Sequence, residues 1–128
     1  MEIKVSVGEV FDKLSILDIK KGKLTDPQKL LNVEKEYNYL NNILESSRIA
    51  DSAKFKYFYD QLMAVNSLLW DIEDGKRECE RTQTFGEHFI QLARQVYIKN
   101  DLRASIKKEI NTYYRSEFTE EKSYAKYD

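Results

Sequence analysis

The residues best suited to chemistry lie on the last helix-patterned segment of the chain. Its apolar spacing runs through Phe89, Leu92 and Val96, meets Asn100 and Arg103, and returns at Ile106 and Ile110. Lys107 follows one turn beyond Arg103, with Arg94 and Tyr97 alongside. An inward-facing arginine must be paired, because its desolvation is costly and it cannot shed its proton. One reading is an internal pair to Glu9, Asp12 or Asp18 of the first helix, or to Asp101, which would fix helix register. The other is a pocket in which Arg94, Arg103 and Lys107 receive an anion and Asn100 and Tyr97 orient it. Arginine's planar fork suits a carboxylate or a phosphate.

Other clusters are weaker. Asp71, Asp74 and Glu78 share one helical face and carboxylates in such an array can hold Mg²⁺. Arg77 and Arg81 stand among them, however, so a solvated charged face is the better reading and no metal is assigned. The Glu-x-x-Glu then Glu-x-x-Asp spacing of the all-helical nucleotide pyrophosphatases is not reproduced. His88 is the single histidine and Cys79 the single cysteine, too little for a zinc site or a nucleophile-base pair. The four glycines are scattered, which excludes a glycine-rich phosphate loop. Trp70, with Phe55, Phe58 and Tyr59, reads as core, with partner anchoring as the alternative. No cofactor is called for.

The elements that must position these residues are long helices. Ser6 to Glu9 and Thr84 to Glu87 have the form of capping boxes at helix starts. The first helix runs from Val7 to a glycine stop near Gly22. Thr25-Asp26-Pro27 opens a second, which ends at Ser46-Ser47. Asp51 or Ser52 is expected to cap a third, running to about Arg81 with a weak point at Gly75. A fourth spans Phe85 to about Tyr114, and the short Thr82-Gln83-Thr84 link makes the last two an antiparallel hairpin. Met1 to Ser6 alternates with period two, so a short strand is expected there, pairing with its own copy or leading into the first helix. Residues 115–128 read as a polar tail to a single helical domain, 1–128.

Composition narrows the function classes. A net charge of −1 with 34% charged residues gives a surface of mixed sign, which disfavours duplex nucleic acid. No apolar stretch approaches the roughly 20 residues of a membrane span. The start lacks the basic head and apolar run of a signal peptide, and with one cysteine the expected setting is cytoplasmic. The excess of lysine over arginine, with frequent Ile, Asn and Tyr, hints at a bacterial or phage source. At 128 residues a partner subunit would help bury long stripes, so a homodimer is expected.

Three strings carry a resemblance. They are Val5 to Glu9 with Asp12-Lys13-Leu14 and Ile16-Leu17; Leu69 to Asp74 with Arg77 and Glu80; and Phe85-Gly86 through Phe89, Ala93-Arg94, Tyr97, Asn100-Asp101, Arg103-Ala104, Ile106-Lys107 and Ile110-Asn111. Together they resemble an uncharacterised family of short bacterial and phage proteins, domain-of-unknown-function family sixty-one sixty-five, over essentially the whole chain. The closing Glu120 to Tyr124 also looks like that family's ending. The resemblance implies that Glu9, Asp12 and Lys13 belong to one pattern with the polar residues of the last helix. Gly75-Lys76 departs from it, which puts the straightness of the third helix in question.

The sequence therefore predicts an all-α protein: a long antiparallel hairpin with two shorter N-terminal helices, coiled-coil-like in spacing and close to a four-helix bundle. The leading function is that of a helical interaction or small-ligand-binding protein. Its candidate anion site comprises Arg94, Tyr97, Asn100, Arg103 and Lys107 with Glu9, Asp12 and Lys13. One alternative is a small enzyme acting on a phosphorylated or carboxylated metabolite, with Glu9 or Asp12 as acid/base. The other is a phage protein that sequesters a signalling nucleotide.

Overall fold

A computed structural model describes residues 1–115. The polar tail and the closing Glu120 to Tyr124 lie outside the described residues. Four α-helices follow in order: α1 (Val7–Lys23), α2 (Pro27–Ser46), α3 (Phe55–Thr82) and α4 (Glu87–Tyr113). A 3-10 turn at Ile49–Asp51 joins α2 to α3, and no strand occurs among the described residues. The all-α hairpin architecture is as the sequence predicts; residues 1–6 lead into α1 without forming a strand.

The helix ends follow local chemistry, with four departures from expectation. Ser6 accepts the Glu9 N–H at 3.2 Å, half of the expected capping box, while the Glu9 carboxylate goes to Lys107 instead. Asp26 caps α2 through the N–H groups of Gln28 and Lys29, with Pro27 in first position. Gly22 stays inside α1, which ends one residue later on an extended Leu24. Neither Asp51 nor Ser52 caps α3, because the 3-10 turn intervenes and the Ser52 hydroxyl is engaged by Tyr114. Thr84 does not cap α4 either: its hydroxyl pairs with Thr82 at 2.7 Å, and Gly86 precedes the helix without a side-chain cap. Gln83 closes α3 in the left-handed conformation, φ 55°.

α3 and α4 form the antiparallel hairpin. α3 runs unbroken through Gly75, whose missing side chain admits Leu92: a Cβ there would stand 3.0 Å from Leu92 Cδ1. The close approach of a neighbouring element, rather than a bend, accounts for this glycine. α1 passes across the hairpin, with Gly8 against Lys107 and Asn111 of α4 and its later turns meeting Asn66 and Tyr59 of α3. α2 packs on α1 and on the turn, leaving α1 between it and the hairpin.

The core sits where these layers cross, at the open end of the hairpin. Phe11, Leu14, Leu44, Phe58, Leu62, Val65, Ile106 and Ile110 form one buried cluster, bordered by Phe55, Tyr59 and Tyr114. The Phe11 ring lies 5.1 Å from that of Phe55 and 5.5 Å from that of Tyr114, within the range of favourable aromatic pairs. Toward the hairpin tip only Ile72 and Cys79 are buried.

Tyr59 ties α3 to α1 by donating its hydroxyl to the Asp18 carboxylate, and Asp18 also faces Lys21 at 3.9 Å. Burial first, then the Asp18 carboxylate, pushes the Tyr59 hydroxyl far above the ordinary phenol range. Because the folded value is raised, the associated stability is present below the unfolded value of about pH 10 and is lost as pH rises beyond it. Denaturation midpoints should therefore fall above about pH 10, and Tyr59→Phe should show a shallower alkaline decline. An unchanged alkaline slope in the variant would contradict this role.

Candidate functional site

The polar residues predicted on α4 divide into two groups. The lower group meets α1. Arg103 Nε stands 3.5 Å from Asp12 Oδ1, and the Lys107 ammonium pairs with the Glu9 carboxylate. Asp12 and Lys107 are almost fully buried, at 3% and 4% exposure, whereas the Arg103 side chain keeps 31%. The upper group does not join them: Arg94 and Tyr97 are exposed, and Asn100 lies half-buried one turn above Arg103. Lys13 turns outward to Glu36 of α2 at 3.6 Å.

Three residues outside the predicted set complete the buried group. Asn66 of α3 donates its amide to Asp12 Oδ1 and to the Ser15 hydroxyl, both at 2.8 Å. Ser15 donates in turn to the Asp12 carbonyl at 2.7 Å. Asn111 of α4 accepts the Gly8 N–H at 2.7 Å. That last bond fixes the amide's orientation, since the opposite face would set donor against donor. It leaves Asn111 Nδ2 buried without a partner among the described residues. Gly8 is required by the close helix crossing: a Cβ would lie 2.7 Å from the Lys107 carbonyl oxygen, which is backbone and has no free rotor.

Signals for these residues were present in the sequence in part. Asn66 lies beside the α3 stripe, next to Val65 and one turn after Leu62, a polar residue at the edge of an otherwise apolar face. Ser15 and Gly8 are small residues on an apolar helix, which marks close approach rather than chemistry. Nothing in the spacing singles out Asn111.

Around Asp12 the acceptors and donors already satisfy one another, and Asn111 Nδ2 alone in the group is left over among the described residues. Asp12 serves an amide and a guanidinium at once, and Glu9 pairs with the buried Lys107 ammonium. Both carboxylates proposed as acid/base are engaged in this way. No group of three or more metal-binding side chains occurs among the described residues. Asp71, Asp74 and Glu78 are exposed, with Glu78 held by Arg81 Nε at 2.9 Å, as the solvated-face reading requires. His88 is exposed and Cys79 buried. No helix of the described residues is long and apolar enough to cross a membrane.

Above the crossing the same faces continue toward the hairpin tip. On α3, Trp70, Glu73 and Arg77 follow Asn66 at 4-3-4 spacing; on α4, Phe89, Ala93, Val96 and Asn100 lead to Arg103 at 4-3-4-3 spacing. The antiparallel seating of Gly75 on Leu92 sets these two stripes side by side. Trp70, Phe89, Ala93 and Val96 are half-buried there. A separate groove of about 880 Å³ lies between residues 1–5 and α2, lined by Val7, Val10, Tyr39, Leu40 and Ile43 among others.

The model for the family of unknown function DUF6165 matches residues 1–127, and the chain belongs to that family. No curated protein and no solved structure matches it.

The network has an internal asymmetry that mutation exposes. Asp12→Ala strands the Asn66 amide and leaves Arg103 unopposed, so a loss of about 2–4 kcal/mol is expected. Arg103→Met removes a longer, partly solvated pair and should change stability by only about 1 kcal/mol. Chemical denaturation measures both, and the reverse order would show that Arg103 rather than Asp12 anchors the group.

Proposed function

We propose that this DUF6165 member acts by binding, as a helical interaction module whose working surface is the upper half of the hairpin. The observation that carries the reading is the division of α4. Its lower cations are paired with α1, while its upper half and that of α3 carry the half-buried Trp70, Phe89, Ala93 and Val96 among exposed charged residues. Trp70 and Phe89 with charged neighbours have the composition of protein-binding surfaces, in which aromatic anchors sit inside a polar rim. The buried Asp12 group then has a supporting duty: it holds α1 and α2 at the base and leaves the arm standing.

One observation favours a second reading, a small anionic ligand at the seam of α1 and α4. Asn111 Nδ2 is a buried donor without a partner among the described residues, beside the first turn of α1 and on the same helix face as Lys107. A carboxylate or phosphate would suit such donors. Enzymatic use of Glu9 or Asp12, and capture of a signalling nucleotide, would both require the ion pairs to open first.

Two measurements separate these readings. If the upper face serves binding, Ile90→Glu with Ala93→Glu should leave the unfolding free energy of dilute protein within about 0.5 kcal/mol of the parent, as surface changes do. A loss of several kcal/mol, by contrast, would make that face part of the fold's own core and end the proposal. For the seam, phosphate, nucleotides and dicarboxylates should give no thermal shift. A shift abolished by Asn111→Ala would move the function to the seam.

A further inference from the structure

We infer that residues 1–5 and the groove beside α2 form a pairing site for a second copy of this chain, each copy laying its first residues in the other's groove as an antiparallel two-stranded ribbon. The site is separate from the upper hairpin face and independent of that face's role. Residues 1–5 alternate as a half-buried strand does, with Met1, Ile3 and Val5 on one side and Glu2 and Lys4 on the other, yet they meet no strand in their own chain among the described residues. Ile3 and Val5 are 75% and 56% exposed, and no backbone hydrogen bond to another described residue engages either. Exposed apolar side chains on an extended segment with open backbone groups are what strand addition uses.

Size and register select the occupant. The groove between residues 1–5 and α2 encloses about 880 Å³ against an apolar wall of Val7, Val10, Tyr39, Leu40, Ile43 and Leu44. A five-residue strand about 17 Å long, taking about 4.8 Å in the plane of a sheet and about 10 Å across its faces, fills roughly 800 Å³. A helix about 10–12 Å across would exceed the groove over the same length. A two-fold axis at Ile3 sets Glu2 of each copy opposite Lys4 of the other, Met1 opposite Val5, and Ile3 opposite its own copy. With Ile3 as a hydrogen-bonded pair, the ladder runs through the backbone of Ile3 and Val5, and Glu2 and Lys4 fall at the non-hydrogen-bonded positions, where side chains approach most closely. Both charge pairs are then opposite in sign. An axis at Glu2 or at Lys4, or a parallel in-register pairing, would set like charges on each other. The segment is thus complementary to itself in one register, on one face. Six apolar side chains, three from each copy, share the other face of the ribbon, toward the groove walls. Antiparallel pairing also sends the two α1 helices off at opposite ends of the ribbon.

So small an interface fits an association that builds up across the micromolar range. Sedimentation equilibrium of the full chain should show the mass rising from 15.2 kDa toward twice that value between low micromolar and submillimolar concentration. Ile3→Glu and Ile3→Lys, at an exposed position ahead of α1, should each weaken the dimer at least about tenfold, by removing an apolar contact and setting like charges across the axis. Their equimolar mixture should associate more strongly than either variant alone, because the axis places residue 3 of one copy on residue 3 of the other. Ala93→Glu, on the upper hairpin face, should leave the dimer intact. A parent that stays monomeric throughout overturns the inference, and so does a dimer that Ile3→Glu and Ile3→Lys leave unchanged. A mixture no more associated than its components overturns the two-fold at Ile3 and the pairing with it. A dimer broken by Ala93→Glu and not by Ile3→Glu places the contact on the arm and overturns the pairing as well. The binding reading is tested apart from this, by the folding of Ile90→Glu with Ala93→Glu, so either proposal can fall while the other stands.

Discussion

The architecture depends on one buried carboxylate. Asp12 on α1 is almost fully withdrawn from water and is held from two helices, by the Asn66 amide of α3 and the Arg103 guanidinium of α4. An unpaired charge in that position would cost several kcal/mol, so α1 has a single comfortable register against the hairpin. Apolar packing around Phe11 and Leu14 supplies the driving force, but apolar contacts alone tolerate sliding. The polar group removes that freedom. Gly8 adds a steric term at the other end of the crossing, where Lys107 leaves no room for a side chain.

Much follows from placing the crossing at one end of a long hairpin. The core concentrates between Phe58 and Leu62 on α3 and Ile106 and Ile110 on α4, and α2 is left to pack on the outer side of α1. Distal to Asn66, the hairpin relies on its own seam, where Gly75 lets Leu92 settle against the α3 backbone. Two helices sharing a single seam leave their outer flanks to solvent. The same geometry that anchors α1 therefore creates an arm with half-covered aromatic residues, and binding is the use to which such a surface is best suited.

How much of this was legible in the sequence can be judged residue by residue. Helix number, the hairpin and the apolar faces were readable because they rest on 3-4 spacing over long spans, the most robust sequence signal. The polar break on α4 was readable too, and of the partners suggested for Arg103, Asp12 is the one used, while Glu9 pairs with Lys107 instead. What spacing could not reveal was how far along α4 the α1 contact extends. Arg94 and Tyr97 share the pattern of Arg103 and Lys107, yet α1 crosses below them, and only tertiary geometry sets that level. Helix caps were misread where a longer-range bond outbid the local one. Glu9 left its capping box for Lys107, and Ser52 was taken by Tyr114. Asn111 was invisible because its role is to meet a backbone N–H on a helix remote in sequence.

The central claim is that the Asp12 group and the apolar cluster around it make the base one cooperative unit while the arm is stabilised separately and less. Native-state hydrogen exchange on dilute protein tests this directly. Amides of α1, of 56–66 and of 103–112 should open together near the global unfolding free energy, with those of 70–80 and 89–98 opening at distinctly lower free energy. Protection in the arm equal to or greater than that of α1 would contradict the account, because the fold would then be built on the hairpin seam rather than on the crossing that Asp12 fixes.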